Sequence, residues 1–131
     1  MSNLGYEVMG AAFEVYNHLG SGLLEEIYQE SFEFELGLRG IAFCSKKELN
    51  VYYKGRELKK KYQPDLLIEN SVIVELKAVS DLAKEHEAQI LNYMKITKIR
   101  VGYLINFAHK DELQWKRFVI SDLKLAKISE D

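Results

Sequence analysis

Apolar residues recur at three- and four-residue steps along residues 4–19, at Val8, Met9, Ala12, Phe13, Tyr16 and Leu19, and this period predicts a helix with one buried stripe. Gly20-Ser21-Gly22 breaks it, and Ser21 is placed to cap a second helix over 22–39. The stripe of that helix is expected to be Leu24, Ile27, Tyr28, Ser31, Phe32, Phe34 and Leu38, with Gly37 and Gly40 at its frayed end. The pattern then shortens to strand-like runs. Residues 42–53 read as one strand ending in Leu49-Asn50-Val51-Tyr52-Tyr53, Lys54-Gly55 as a turn, and 56–61 as the strand that follows. Residues 64–69 and 72–78 read as a hairpin, and 82–97 as a helix with Leu82, Ile90, Leu91, Tyr93 and Met94. A buried strand over 99–106 and an edge strand over 114–121 complete the list, and the tail from Asp122 is expected to be loosely held. The order α-α-β-β-β-β-α-β-β predicts a mixed sheet with helices on its faces, an α/β (α+β) domain spanning 1–131.

The register of the 64–78 hairpin follows from parity. Leu66 and Ile68 alternate with one another, as do Val72, Val74 and Leu76. Both sets face one core only if Ile68 pairs with Val72, which leaves Glu69-Asn70-Ser71 as a three-residue loop. Asp65 then lies opposite Glu75, on the face that also carries Lys77. A two-residue Asn70-Ser71 turn would send Asp65 to the other face unless a bulge restored it.

That face carries the chemistry. Val72-Ile73-Val74 is a buried-strand run, and Glu75-Leu76-Lys77 at its end puts a carboxylate and an ammonium on one side of a sheet. Charges beside a core cost several kcal/mol unless paired or bound to an ion. Two carboxylates beside a lysine suit a hard cation such as Mg²⁺, which takes one or two carboxylates, keeps several waters and binds phosphate oxygens. The Leu76 carbonyl is a further candidate ligand. An internal ion pair at a strand end would use the same spacing. A second Glu-x-Lys, Glu57-Leu58-Lys59, lies in a polar, lysine-rich segment and lacks the upstream aspartate. On the next helix His86, Gln89 and Tyr93 share a stripe that can reach the open end of the sheet; a surface or satisfied histidine and a core tyrosine are the plainer alternatives. Glu25, on the stripe with Tyr28 and Phe32, is either a further ligand or a first-turn glutamate favoured by the helix dipole.

Composition narrows the setting. The 131 residues are 47% hydrophobic and 29% charged, an ordinary globular balance for one domain. No apolar run nears about 18 residues, the N-terminus lacks a signal core, and Cys44 is the lone cysteine, so a cytoplasmic protein without a membrane span or zinc site is expected. Net charge is −2, which argues against a non-specific polyanion binder. The distribution is uneven, however. Residues 1–35 hold seven glutamates (Glu7 to Glu35) and no Lys or Arg, whereas Lys46, Lys47, Lys54, Arg56, Lys59, Lys60 and Lys61 crowd residues 46–61. The basic stretch is either a phosphate-touching surface or a charged edge that resists aggregation.

Gly22-Leu23-Leu24-Glu25-Glu26-Ile27-Tyr28 resembles the signature of the GxxExxY proteins, regarded as members of the PD-(D/E)XK nuclease-like superfamily. Pro64-Asp65 and Glu75-Leu76-Lys77 resemble that superfamily's Pro-Asp and Glu-x-Lys elements. His86, Gln89, Asn92 and Tyr93 resemble its following helix, with a Gln-x-x-x-Tyr pattern. The resemblance covers about residues 5–120. It implies a restriction-endonuclease-like mixed sheet with an αβββαβ core, in which 42–53 supplies the first strand. It implies that Asp65 and Glu75 hold Mg²⁺ or Mn²⁺ and that Glu25 helps complete the pocket, while the Leu76 carbonyl stays a candidate ligand from the residue reading. Lys77 would be catalytic and Gln89 would complete the pocket, with Tyr28, His86 and Tyr93 beside it. The expected activity is metal-dependent phosphodiester hydrolysis of nucleic acid, DNA ahead of RNA. A nucleic-acid- or protein-binding module that keeps the fold with little catalysis is the alternative. A homodimer or a targeting partner protein stays open for either.

Overall fold

A computed structural model describes residues 4–121. Helix α1 spans Leu4–Leu19 and α2 Glu25–Leu38; strands β1 (Phe43–Ser45), β2 (Leu49–Tyr53), β3 (Arg56–Tyr62), β4 (Leu66–Ile68) and β5 (Val72–Lys77) follow. Helix α3 is Lys84–Thr97, and β6 (Val101–Asn106) and β7 (Gln114–Val119) close the fold. The main sheet runs β1-β4-β5-β6-β7, while β2 and β3 form a separate two-stranded ribbon. Only β5 and β6 pair in parallel, with α3 as their crossover.

Strict alternation on the central strands builds two cores. Leu66, Ile68, Val72, Val74 and Leu76 pack with Val8, Ala12, Tyr28, Phe32 and Leu36 of α1 and α2. Leu67, Ile73 and Leu104 pack on the other face with Ile90 and Met94 of α3 and Tyr62 of the ribbon. The sheet is therefore covered on both sides, as the element order predicted. No helix among the described residues is long and apolar enough to cross a membrane, and Cys44 is exposed and unbridged.

Two expectations need correcting. Residues 42–53 are not one strand. Lys46 sits in the left-handed region at φ 52, and its N–H donates to the Asp65 carbonyl at 3.1 Å, so β1 ends in the sheet and the chain departs into the ribbon. Only Phe43–Ser45 pairs with β4, Phe43 opposite Ile68. The second helix is also shorter than its periodicity suggests. Its N-cap is Leu24 rather than Ser21, because Gly20 and Gly22 take positive φ and the Tyr28 hydroxyl ties the loop, donating to the Gly20 carbonyl at 2.6 Å and accepting from Leu23 N–H at 3.1 Å. The buried stripe of α2 is Tyr28, Gln29, Phe32 and Leu36. Leu24, Ile27, Phe34 and Leu38 are exposed. At the far end, Gly40 at φ 72 and the Ile41 N–H bond to the Leu36 carbonyl close a Schellman-type stop.

Candidate active site

Asp65 and Glu75 meet through the hairpin register. The ladder pairs Ile68 with Val72, Leu67 with Ile73 and Leu66 with Val74, as parity requires, and one step beyond it Asp65 faces Glu75. Asp65 is tied to β5 at two points. Leu76 N–H donates to Asp65 Oδ2 at 2.8 Å, and Asp65 N–H makes a long 3.4 Å bond to Glu75 Oε2. Glu75 and Lys77 leave β5 on the same side as Ile73, toward α3 and the ribbon.

Three residues that the motifs do not contain complete this arrangement. The Lys46 ammonium, carried by the left-handed turn, reaches Asp65 Oδ1 at 3.1 Å. Tyr62, the last residue of β3, donates its hydroxyl to Glu75 Oε2. Gln29 of α2 donates from Nε2 to the Asp65 carbonyl at 3.0 Å and to Glu33 Oε2 at 2.7 Å. With both neighbours acceptors, the amide orientation is fixed, and Gln29 Oε1 is left buried without a partner. The sequence signal for Tyr62 and Lys46 was faint: an aromatic three residues before Asp65, and one of seven basic residues in a charged stretch. Gln29 carried none, since a polar residue on an amphipathic helix ordinarily reads as surface.

Tyr62, Asp65 and Glu75 line a cleft of about 390 Å³ together with Glu25, Lys77, Gln89 and Tyr93, with Lys60 and Lys61 of the ribbon at its side. Glu25 opens α2, so its carboxylate stands at the helix N-terminus. Tyr93 stacks on Tyr62 with ring centroids 3.6 Å apart, and Gln89 Nε2 lies 3.5 Å from the Tyr93 hydroxyl. Two pocket candidates lie elsewhere. Tyr28 is fully buried, stacks on Phe107 at 4.9 Å and pins the α1–α2 loop. His86 Nδ1 accepts the Ala83 N–H at 3.0 Å, so its ring caps the first turn of α3. His86 was drawn toward the site by its helical stripe and Tyr28 by the resemblance, and each bonds a nearby backbone group instead.

The electrostatics are those of crowded carboxylates. Burial, then the charge of Asp65, pushes Glu75 up to about 7. Burial and Asp65 also raise Glu25. Burial followed by the Glu75 charge drives the Tyr62 phenol well above its usual range, so it stays a donor. For Lys46, burial acts downward but the bond and charge of Asp65 outweigh it, with Glu25 and Glu75 adding to the rise. Among the described residues no three His, Cys, Asp or Glu side chains converge into a cation cage. Asp65 and Glu75 offer a pair of hard oxygen donors that could share a hard divalent ion. A cation there would relieve the repulsion that raises Glu75.

Comparison with known proteins agrees with this geometry. The family described as PDDEXK_3, PD-(D/E)XK nuclease superfamily, matches residues 2–118. No curated protein matches. Among solved structures, the crystal structure of SSO0001 is similar at 18% identity and a TM-score of 0.57, over 81% of this chain and 55% of that one. The chain therefore spans about half the length of that protein, and the likeness speaks to fold alone.

Proposed function

Since the chain belongs to the PD-(D/E)XK nuclease superfamily, we propose that it hydrolyses phosphodiester bonds of nucleic acid, DNA ahead of RNA, with Mg²⁺ or Mn²⁺. The placing of Asp65 against β5, through Leu76 N–H and Glu75 Oε2, carries this reading. Asp65 and Glu75 would hold the ion, with the Leu76 carbonyl as a further ligand, and Glu25 stands at the rim of the same cleft. Such an ion supplies charge neutralisation at the scissile phosphate and a more acidic bound water. Lys77, on the same strand face as Glu75, offsets charge building on the phosphorane-like transition state. Tyr62 holds the Glu75 oxygen in place, Lys46 and Gln29 hold Asp65, and Gln89 with Tyr93 orients the strand or the attacking water. Gly22, Glu25 and Tyr28 support a place among the GxxExxY proteins: Gly22 takes the left-handed turn, Glu25 opens the helix, and Tyr28 ties the loop. Cytoplasmic residence, a homodimer and a targeting partner are compatible with this reading.

A metal-titrated cleavage assay on single- and double-stranded DNA and RNA tests it. Lys77→Ala is expected to lose about 100-fold or more in rate while melting temperature and divalent binding persist. Wild-type protein that cuts none of these polymers with Mg²⁺ or Mn²⁺ overturns it. One observation favours the alternative of a binding module without turnover: the Lys46 ammonium already sits on Asp65 Oδ1, so an internal cation partly does the work of an ion.

A further inference from the structure

The β2–β3 ribbon stands outside the main sheet, and its tip is a built turn. Lys54 and Gly55 are both left-handed, at φ 49 and 79, the geometry that matches strand twist, and Tyr53 pairs with Arg56 across it. Yet Tyr52 and Tyr53 are 59% and 61% exposed. Two large rings held out on an ordered turn are surfaces available for stacking.

The two sides of the ribbon differ. Alternation and the pairs Tyr53–Arg56 and Leu49–Tyr62 assign Tyr53, Arg56, Lys60 and Tyr62 to one side. Between Asn50 and Tyr52 three residues of β3 face one of β2, an irregularity that does not exchange the sides. This side leads into the cleft: Tyr62 ends on Glu75, and Lys60 lines the wall. Neither Arg56 nor Lys60 has a carboxylate partner among the described residues. The opposite side is internally satisfied: Lys61, which also borders the cleft where the ribbon meets it, is bonded to Glu57 and to Asn50 Oδ1, and Asn50 Nδ2 lies 3.5 Å from the Tyr52 hydroxyl.

Across the cleft the charge is reversed. Glu25 forms that wall, and residues 1–35 contain no Lys or Arg. Among the described residues the ribbon wall is therefore the more favourable approach for a polyanion. From Arg56 to Tyr62 the track is roughly 20 Å long, room for several nucleotides.

We propose that the cleft side of the ribbon is a track for single-stranded nucleic acid, in which Tyr53 stacks on an unpaired base and Arg56 and Lys60 take the phosphates leading to Glu75. It rests on the nuclease reading for what happens at the end of the track. The preference for a single strand follows from the ring: in a duplex interior both faces of every base are already stacked, so Tyr53 has no face to meet. The cations alone would serve either form.

The test is binding, read without cleavage. Wild-type protein in EDTA is titrated against a fluorescein-labelled oligodeoxynucleotide, as single strand and as duplex, by fluorescence anisotropy at several salt concentrations. Tyr53→Ala is expected to weaken single-strand binding about tenfold and duplex binding by less than about twofold, and Tyr53→Phe to restore it. Tyr52→Ala, on the far side, is expected to change neither. Arg56→Gln with Lys60→Gln is expected to weaken both probes and flatten the single-strand salt slope by roughly 0.7 per contact removed. Equal effects of Tyr52→Ala and Tyr53→Ala, an equal loss on duplex, or wild type that binds neither probe would overturn the proposal. Both tyrosines are exposed, so their variants keep the fold, which circular dichroism and melting confirm. Tyr53-dependent binding in a protein that never cuts sinks the nuclease reading and leaves the track.

Discussion

The Tyr62 hydroxyl and the Asp65 N–H converge on one oxygen, Glu75 Oε2. The ribbon and the sheet therefore share control of a single carboxylate, and the ribbon is part of the site as well as its neighbour. Tyr62→Phe removes the donor that favours the ionised form of Glu75. The acid limb of the pH–rate profile should move to higher pH, and stability should fall by about 1–2 kcal/mol in urea unfolding. An unmoved acid limb would show that the bond has no part in ionisation.

Glu75→Gln should stabilise the metal-free protein in a pH-dependent way. The folded value of about 7 lies above the ordinary glutamate value of 4.5, so ionising Glu75 opposes folding. That cost is full above about pH 7, shrinks as pH falls toward 4.5, and is absent below it. In EDTA the variant should gain up to roughly 3 kcal/mol at pH 8 and nothing at pH 4. Chemical denaturation at the two pH values measures both ends, and a gain that is flat with pH would contradict the assignment.

Lys46→Asn removes the ammonium from Asp65 Oδ1 while keeping a residue that tolerates the left-handed backbone. Repulsion between the lysine and an incoming cation is lost, so Mn²⁺ should bind about tenfold more tightly in calorimetry. Weaker binding would mean that Lys46 matters for posture of the loop and not for charge.

Gly102→Ala tests how closely α3 lies on the sheet. A Cβ there would sit 2.7 Å from Met94 Sδ and 3.2 Å from Ile90 Cδ1. Both side chains are buried, so α3 must shift, at about 1–3 kcal/mol. Because α3 also carries Tyr93 against Tyr62, cleavage should fall with stability. Thermal melts that match wild type would show that the helix gives way freely.

The local periods of the sequence were enough to find all three helices, and the alternation of Leu66, Ile68, Val72, Val74 and Leu76 was enough to set the register that joins Asp65 to Glu75. Both are decided by which face is apolar, and that is written in the residue order. What escaped depends on chain direction. Lys46 is an ordinary lysine until its φ turns positive, and only then does one strand become two and an ammonium arrive at Asp65. Gln29 looked like surface because its partner, the Asp65 carbonyl, is 36 positions away. His86 and Tyr28 lie off the cleft lining for the converse reason: nearby backbone N–H and C=O groups hold their polar atoms.

Asp65 is gripped from three stretches of the chain at once: by Gln29, by Lys46, and by Leu76. None of these stretches can place it alone, and the pairings that do so are long-range and slow to assemble. A nascent or partly unfolded molecule consequently carries the full set of reactive side chains without the arrangement that arms them. Under the proposed activity, cleavage followed during refolding should appear only after Gln29, Lys46 and Leu76 have all closed on Asp65.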